Sequence, residues 1–277
     1  MKRKKIIGLV CCVALIFLGF IFQGNLSLYF NLAALFIVIG GTAGATLISF
    51  KMESLHNLYL VLKRSYRTSI KEPDEIVGIM IDISVKSRAK GFLSLQKEEE
   101  ETSILFLRRA LGFIVDGYPA KEIADILNTE MSFFKIRREE SERILRTIAE
   151  MCPSFGLIGS IVGLVGLIAG IGDPSIIIKT VPIALVSTLY GIIFSNFFLL
   201  PFAANLRERT NHELLLQRMI LSGILGIEGK MHPRMLEVKL KSFLTPSLRN
   251  NKLVSIDRIR NKLKMDDDSE KSCMSNF

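Results

Sequence analysis

Two long stretches of this chain are nearly empty of charge. No Lys, Arg, Asp or Glu occurs between Ile6 and Phe50, and only Asp173 and Lys179 occur between Met151 and Leu206. Crossing a bilayer as a helix takes roughly 20 apolar residues, so each stretch has room for two spans. In the first, an apolar run over 6–22 is followed by a polar break at 23–27 and a second run over 28–50. In the second, a run over 153–172 ends at the turn sequence Gly172-Asp173-Pro174-Ser175, and another covers 180–204. The pattern predicts an all-α integral membrane protein with four transmembrane helices arranged as two hairpins.

Between the hairpins, residues 51–152 have Leu, Ile and Glu/Lys/Arg at helical spacing, the pattern of a helical domain outside the membrane. Glu72-Pro73-Asp74 marks a helix start, since proline tolerates a first turn and acid there meets the positive end of the dipole. Gly91 marks an end, and Gly117-Tyr118-Pro119 separates a helix ending near Val115 from a long one beginning near Ala120. Beyond the last span, 205–244 keeps helical periodicity as an extension, and 245–277 is polar and reads as a mobile tail.

The formal net charge is +9, and its placement matters more than its size. Four basic residues and no acid lie in 1–5, the 51–152 segment balances 17 basic against 17 acidic residues, and 205–277 has 14 basic against 9 acidic. The excess therefore sits at the two ends of the chain. With four spans both ends share one side, which the positive-inside rule makes the cytoplasm. The reading is a multi-pass membrane protein with both ends, the central domain and the tail cytoplasmic. The end charges rest near anionic lipid headgroups rather than on nucleic acid. The basic start is not read as a secretory signal, because a second hydrophobic run follows the first. Cys11, Cys12, Cys152 and Cys273 have neither disulfide nor metal spacing.

The third span places glycines at 156, 159, 163, 166 and 170, a three–four repeat that lays one glycine face along a helix. The fourth repeats small residues at Ala184, Thr188, Gly191 and Ser195. In lipid such faces let backbones approach closely and gain dispersion contacts. They fit either the packing of this chain's own helices or close packing around a central partner in a ring. Ser160, Ser187 and Thr188 add hydroxyls, which fit either back-bonding to their own helices or the lining of a wet pathway. No carboxylate lies within any span, and a proton or sodium route through a membrane needs one; a conducting assembly must take that acid from a partner. A phosphate-binding Gly-rich loop and an HExxH pair are both missing, and His56, His212 and His232 are scattered, so an enzyme is not expected, nor a bound cofactor or metal. Glu98 to Glu101, with Lys86, Arg88 and Lys90 upstream, forms either a solvated helix start or a two-signed docking strip.

The segment from Pro153-Ser-Phe-Gly-Leu-Ile-Gly-Ser-Ile-Val-Gly, with Asp173-Pro174-Ser175, Ala184 to Gly191 and Asn196 to Pro201, resembles the third and fourth spans of the MotA/PomA flagellar stator family, within the MotA/TolQ/ExbB proton channel superfamily. The layout agrees along nearly the whole chain except its last thirty or so residues. The resemblance implies a homopentamer around a MotB/PomB-type subunit that supplies the intramembrane Asp. Transported H+ or Na+ then drives torque on the rotor protein FliG. It also implies roles by position. Ser160, Thr188 and Ser187 would line the ion pathway, and Pro153 and Pro233 would couple ion flow to cytoplasmic movement. Arg88, Lys90, Gln96, Glu98 and Glu99 would face the rotor. Gly156, Gly159, Gly163, Gly166, Gly170, Ala184 and Gly191 would pack helices. Two positions depart from the family. Gln96 stands where a glutamate is usual, with Glu98 and Glu99 near enough to substitute, and Pro182 sits near the start of span four. Ser160, where sodium-driven members tend to have threonine, leaves the coupling ion open. The alternatives are an ExbB/TolQ-type energiser, usually three-span, and a non-conducting membrane scaffold.

Overall fold

The computed structural model describes residue 22 and residues 29–67 and 71–244. The expected first span over 6–22 and the expected tail over 245–277 lie outside the described residues, apart from Phe22. Within them the chain is helical, with no strand among the described residues. The helices are α1 (Leu32–Ser49), α2 (Met52–Arg67), α3 (Pro73–Lys90), a 3-10 turn (Phe92–Leu95), α4 (Gln96–Glu101), α5 (Leu105–Val115), α6 (Ala120–Ala169), α7 (Pro174–Ile193), a π-helical turn (Phe194–Leu199), α8 (Leu200–Glu228) and α9 (Pro233–Lys241). Three of them are long and apolar enough to cross a membrane: α1, part of α6, and the run from Pro174 to Glu228.

Local chemistry sets the helix ends. The Asn31 side chain accepts the Ala34 amide and starts α1, and Asp173 does the same for Ser175 at the head of α7. Pro73 occupies the first turn of α3, and Gly91, at φ 79°, ends it in a conformation that favours glycine. The long helix beginning near Ala120 runs unbroken through Pro153, which lies inside the 50-residue α6, where its ring leaves the Ala149 carbonyl without its amide donor. The helix that carries the expected span over 180–204 starts at Pro174, where the Asp173 cap and a proline at the first position favour a helix start. Pro182 is likewise tolerated inside α7. The π turn precedes Pro201, which has no amide to return to Phe197, and Asn196 donates its side-chain amide to the Ile192 carbonyl in the same stretch.

The chain forms two compact units. One comprises residues up to Val61 together with Ser141–Asn205, and the other comprises Leu62–Glu140 together with residues from Leu206 onward. The second has a dense apolar core that includes Ile76, Met80 and Ile81 of α3, Leu107 and Leu111 of α5, Ile123 and Leu127 of α6, Met219 and Ile224 of α8, and Leu236 and Leu240 of α9. Each such side chain contributes roughly 1.5–3 kcal/mol by leaving water. The Arg138–Glu213 pair at 3.0 Å adds a largely buried tie between α6 and α8 within this unit. The first unit is organised differently. Leu157, Ile161, Val165 and Ile168 of α6 all point outward, an apolar stripe suited to lipid or to other membrane helices rather than to water.

Candidate functional site

The glycine face of α6 meets α7 directly. A Cβ added at Gly163 would lie 2.6 Å from the Ala184 nitrogen, one at Gly159 would lie 2.5 Å from the Ser187 Cβ, and one at Gly156 would lie 2.9 Å from the Ser187 carbonyl oxygen. Gly166 abuts Thr180, and Gly170 abuts Ile176. From the other side, a Cβ at Gly191 would lie 2.6 Å from the Cys152 carbonyl oxygen. Rising numbers on α6 pair with falling numbers on α7, so the two helices are antiparallel. Another helix of this unit, α1, runs with α7: Gly41 receives the Phe155 ring, and Ile37 reaches Gly159. Thr42 and Thr46, both buried on α1, return their hydroxyls to Val38 and Thr42 carbonyls and add no free polar group.

The hydroxyls named from the sequence lie on this seam. Ser160 Oγ and Thr188 Oγ1 are 2.5 Å apart, and Ser160 Oγ is 2.5 Å from the Ala184 carbonyl oxygen. Two assignments use both protons: Thr188 donates to Ser160 and Ser160 to the Ala184 carbonyl, or Ser160 donates to Thr188 and Thr188 to the Gly156 carbonyl at 3.3 Å. Both residues are half-buried. Ser187 is fully buried and donates to the carbonyl of Ala184 on its own helix. An uncharged hydroxyl pair of this kind can orient a cation or pass a proton, but it holds no charge of its own. Asp173 stands apart at the head of α7, where the Ser175 amide holds its carboxyl below the usual carboxylate range.

Tyr190 is a residue that sequence reading passed over. Its hydroxyl donates to the Tyr29 carbonyl at 2.6 Å and accepts from the Asn31 amide at 3.3 Å, which fixes the start of α1 against α7. A tyrosine on a small-residue helix gives no local sign of such a role, because its partners lie about 160 positions away. Tyr190→Phe strands both backbone groups and is expected to lower stability by about 1 kcal/mol. An unchanged thermal midpoint of the purified variant would count against this tie.

The charged strip lies in the second unit. Lys86 is ion-paired with Glu98, each about 30% exposed, and Glu99 packs its carboxylate over Gly112 of α5. Both acids that could stand in for a glutamate at 96 are therefore engaged inside the unit. Arg88, Lys90, Gln96, Lys97, Glu100 and Glu101 are exposed. The Arg88 guanidinium donates to the Lys230 carbonyl at 2.6 Å, in the turn that joins α8 to α9. Lys230 has φ 52°, and Met231 returns its amide to the Gly226 carbonyl at 2.8 Å, so this turn is a closed helix end. Pro233 follows as the first residue of α9, capped by the His232 ring, whose Nδ1 accepts the Arg234 amide. The structure thus brings Arg88 next to the Pro233 turn, whereas Pro153 lies in the other unit.

Helices long and apolar enough to cross a membrane, packed along a glycine seam that carries a hydroxyl pair, define a helical membrane protein. Residues 97–219 match the model of the MotA/TolQ/ExbB proton channel family. The chain is 27% identical over 249 residues to the chemotaxis protein PomA of Vibrio alginolyticus, covering 90% of this chain and 98% of that one. It is 30% identical over 226 residues to motility protein A of Borreliella burgdorferi, covering 82% and 87%. A solved C. jejuni MotAB structure superimposes with a TM-score of 0.83 at 25% identity, covering 92% of this chain and all of that one. The chain belongs to the MotA/PomA family of motility proteins, within the MotA/TolQ/ExbB proton channel family.

Proposed function

We propose that this chain is the ring-forming A subunit of a flagellar stator. It spans the inner membrane four times, at about 6–22, 28–50, 153–172 and 180–204, with both termini and the 51–152 domain in the cytoplasm. Five copies surround the helices of a MotB/PomB-type partner, whose aspartate carries H+ or Na+ past Ser160 and Thr188, and the resulting movement turns the rotor protein FliG through the Arg88 strip. The observation that carries this reading is the Ser160–Thr188 pair on a seam of apolar helices without an acid. It is a place prepared for an ion but unable to bind one unaided. The likeness to a C. jejuni MotAB structure supports a MotB-type partner.

The test is swimming in a strain whose other motility protein A genes have been removed. Deleting this gene should leave cells flagellated but paralysed, and restoring it should return motility. Swimming that follows external sodium assigns Na+, and swimming abolished by a protonophore in the absence of sodium assigns H+. Unimpaired swimming after the deletion would sink the proposal.

A further inference from the structure

The unit formed by Leu62–Glu140 and the residues from Leu206 onward contains a cleft of about 470 Å3 between α6, α8 and the end of α9. Its walls come from single faces of three helices: Ser132 and Lys135 lie one turn apart on α6, Leu214 and Arg218 lie one turn apart on α8, and Lys239 is followed one turn on by Phe243. The floor is apolar and includes the half-buried ring of Phe243. Three cations, Lys135, Arg218 and Lys239, each from a different element, stand around it, and no carboxylate is among its lining residues.

Several cations elsewhere in the unit are matched by acids: Lys86 with Glu98, Arg109 with Glu130, Arg138 with Glu213, Lys241 with Glu237. Of the three, only Lys135 is ion-paired among the described residues, to Glu139 at 3.6 Å, and both of those side chains are more than half exposed, so the pair holds Lys135 weakly. Arg218 and Lys239 are exposed and make no ion pair among the described residues. Cations gathered over a concave apolar surface, without acids to offset them, suit a ligand that brings several negative charges together with an apolar or planar body.

We propose that this cleft binds a phosphate-bearing ligand of that kind, with the phosphates on Arg218, Lys239 and Lys135 and the apolar portion against Phe243. Two sources share this chemistry: a soluble nucleotide and an anionic phospholipid. The full-length chain, purified in complex with its MotB-type partner, is titrated with methylanthraniloyl-GTP and methylanthraniloyl-ATP, and separately with phosphatidylglycerol vesicles compared with phosphatidylcholine vesicles. Saturable binding should appear in one arm and weaken by at least about tenfold in Arg218→Ser/Lys239→Ser. Lys239→Arg should keep it, because the charge remains. Saturation with a nucleotide identifies a soluble ligand, and saturation with the anionic vesicles alone identifies a lipid. No saturable binding in either arm, or binding indifferent to the double substitution, overturns the proposal. Binding that appears only after Asp266, Asp267 and Asp268 are all changed to Asn also overturns it, because the chain's own acidic run would then be the occupant. A thermal midpoint of the double variant within a degree or so of the parent keeps a loss of binding from being read as unfolding.

Discussion

Gly163→Ala should destabilise the purified chain by about 1–3 kcal/mol, the usual cost of forcing one extra methyl into a closed contact, and should reduce swimming in step. The new Cβ would lie 2.6–2.8 Å from the nitrogen, Cβ and Cα of Ala184. Two of those three atoms are backbone and cannot rotate away, so α6 and α7 must separate where they now touch. Gly163→Val should cost more and remove the protein from the membrane fraction. Adding Ala184→Gly should recover only part of the loss, because it removes one of the three opposing atoms. Gly44→Ala is the control. Its Cβ would meet nothing within 4 Å, and alanine is the better helix former, so the level and midpoint of that variant should match or exceed the parent. Equal midpoints for Gly163→Ala and a damaged Gly44→Ala would place the close contact on the other helix and sink the α6–α7 seam.

That seam also marks how far the sequence can be read. The three–four spacing of Gly156, Gly159, Gly163, Gly166 and Gly170 is visible by inspection, because helical period and residue size are local properties. What fills the face is not local. In lipid any neighbouring helix can supply dispersion contacts to a glycine groove, so the repeat cannot separate this chain's own α7 from a partner at a ring centre. The pairing of Gly163 with Ala184 decides it for this face. The helix breaks at Pro73, Gly91 and Gly117 to Pro119 were equally legible, since each is set by capping chemistry within a few residues. Pro153 is no such break: α6 runs from Ala120 to Ala169 across it, although proline removes one of the helix's own hydrogen bonds. The π turn has a local cause in Pro201, which marks a disturbed helix without specifying its π form.

The charged strip was legible as composition and illegible as geometry. Glu98 and Glu99 are adjacent to the position where an acid is expected, but the Lys86 pairing spans 12 residues and the packing of Glu99 depends on Gly112 of another helix. Tertiary folding decides which carboxylates remain free, and among the described residues it leaves Glu100 and Glu101 on the surface. The Arg88 contact with the Lys230 carbonyl, 142 positions away, was beyond any local pattern.

Arg88→Glu should abolish swimming while the stator complex remains in the membrane at its normal level. Two changes act together. The substitution reverses the sign of an exposed side chain on the strip, and it replaces a donor to the Lys230 carbonyl, now at 2.6 Å, with a carboxylate that can only repel it. The graded series separates these effects. Arg88→Lys keeps the charge and one donor and should retain most torque, Arg88→Gln keeps a neutral donor and should fall between, and Arg88→Glu should fail. If the carbonyl contact alone mattered, Gln would perform like Lys; if charge alone mattered, Gln would fall well below it. Lys230→Gly offers an independent check. It keeps the backbone acceptor and relieves the positive φ of 52°, so it should stabilise the turn by about 0.5–1 kcal/mol while removing a neighbouring cation. Gln96→Glu, exposed and unpaired among the described residues, should change swimming little. Glu98→Gln breaks a partly exposed ion pair worth about 1 kcal/mol or less and should lower stability more than torque. Tethered-cell rotation measured with the amount of each variant in the membrane distinguishes these outcomes. A silent Arg88→Glu beside a paralysed Gln96→Glu would move the proposed rotor contact from the Arg88 corner to the exposed face of α4.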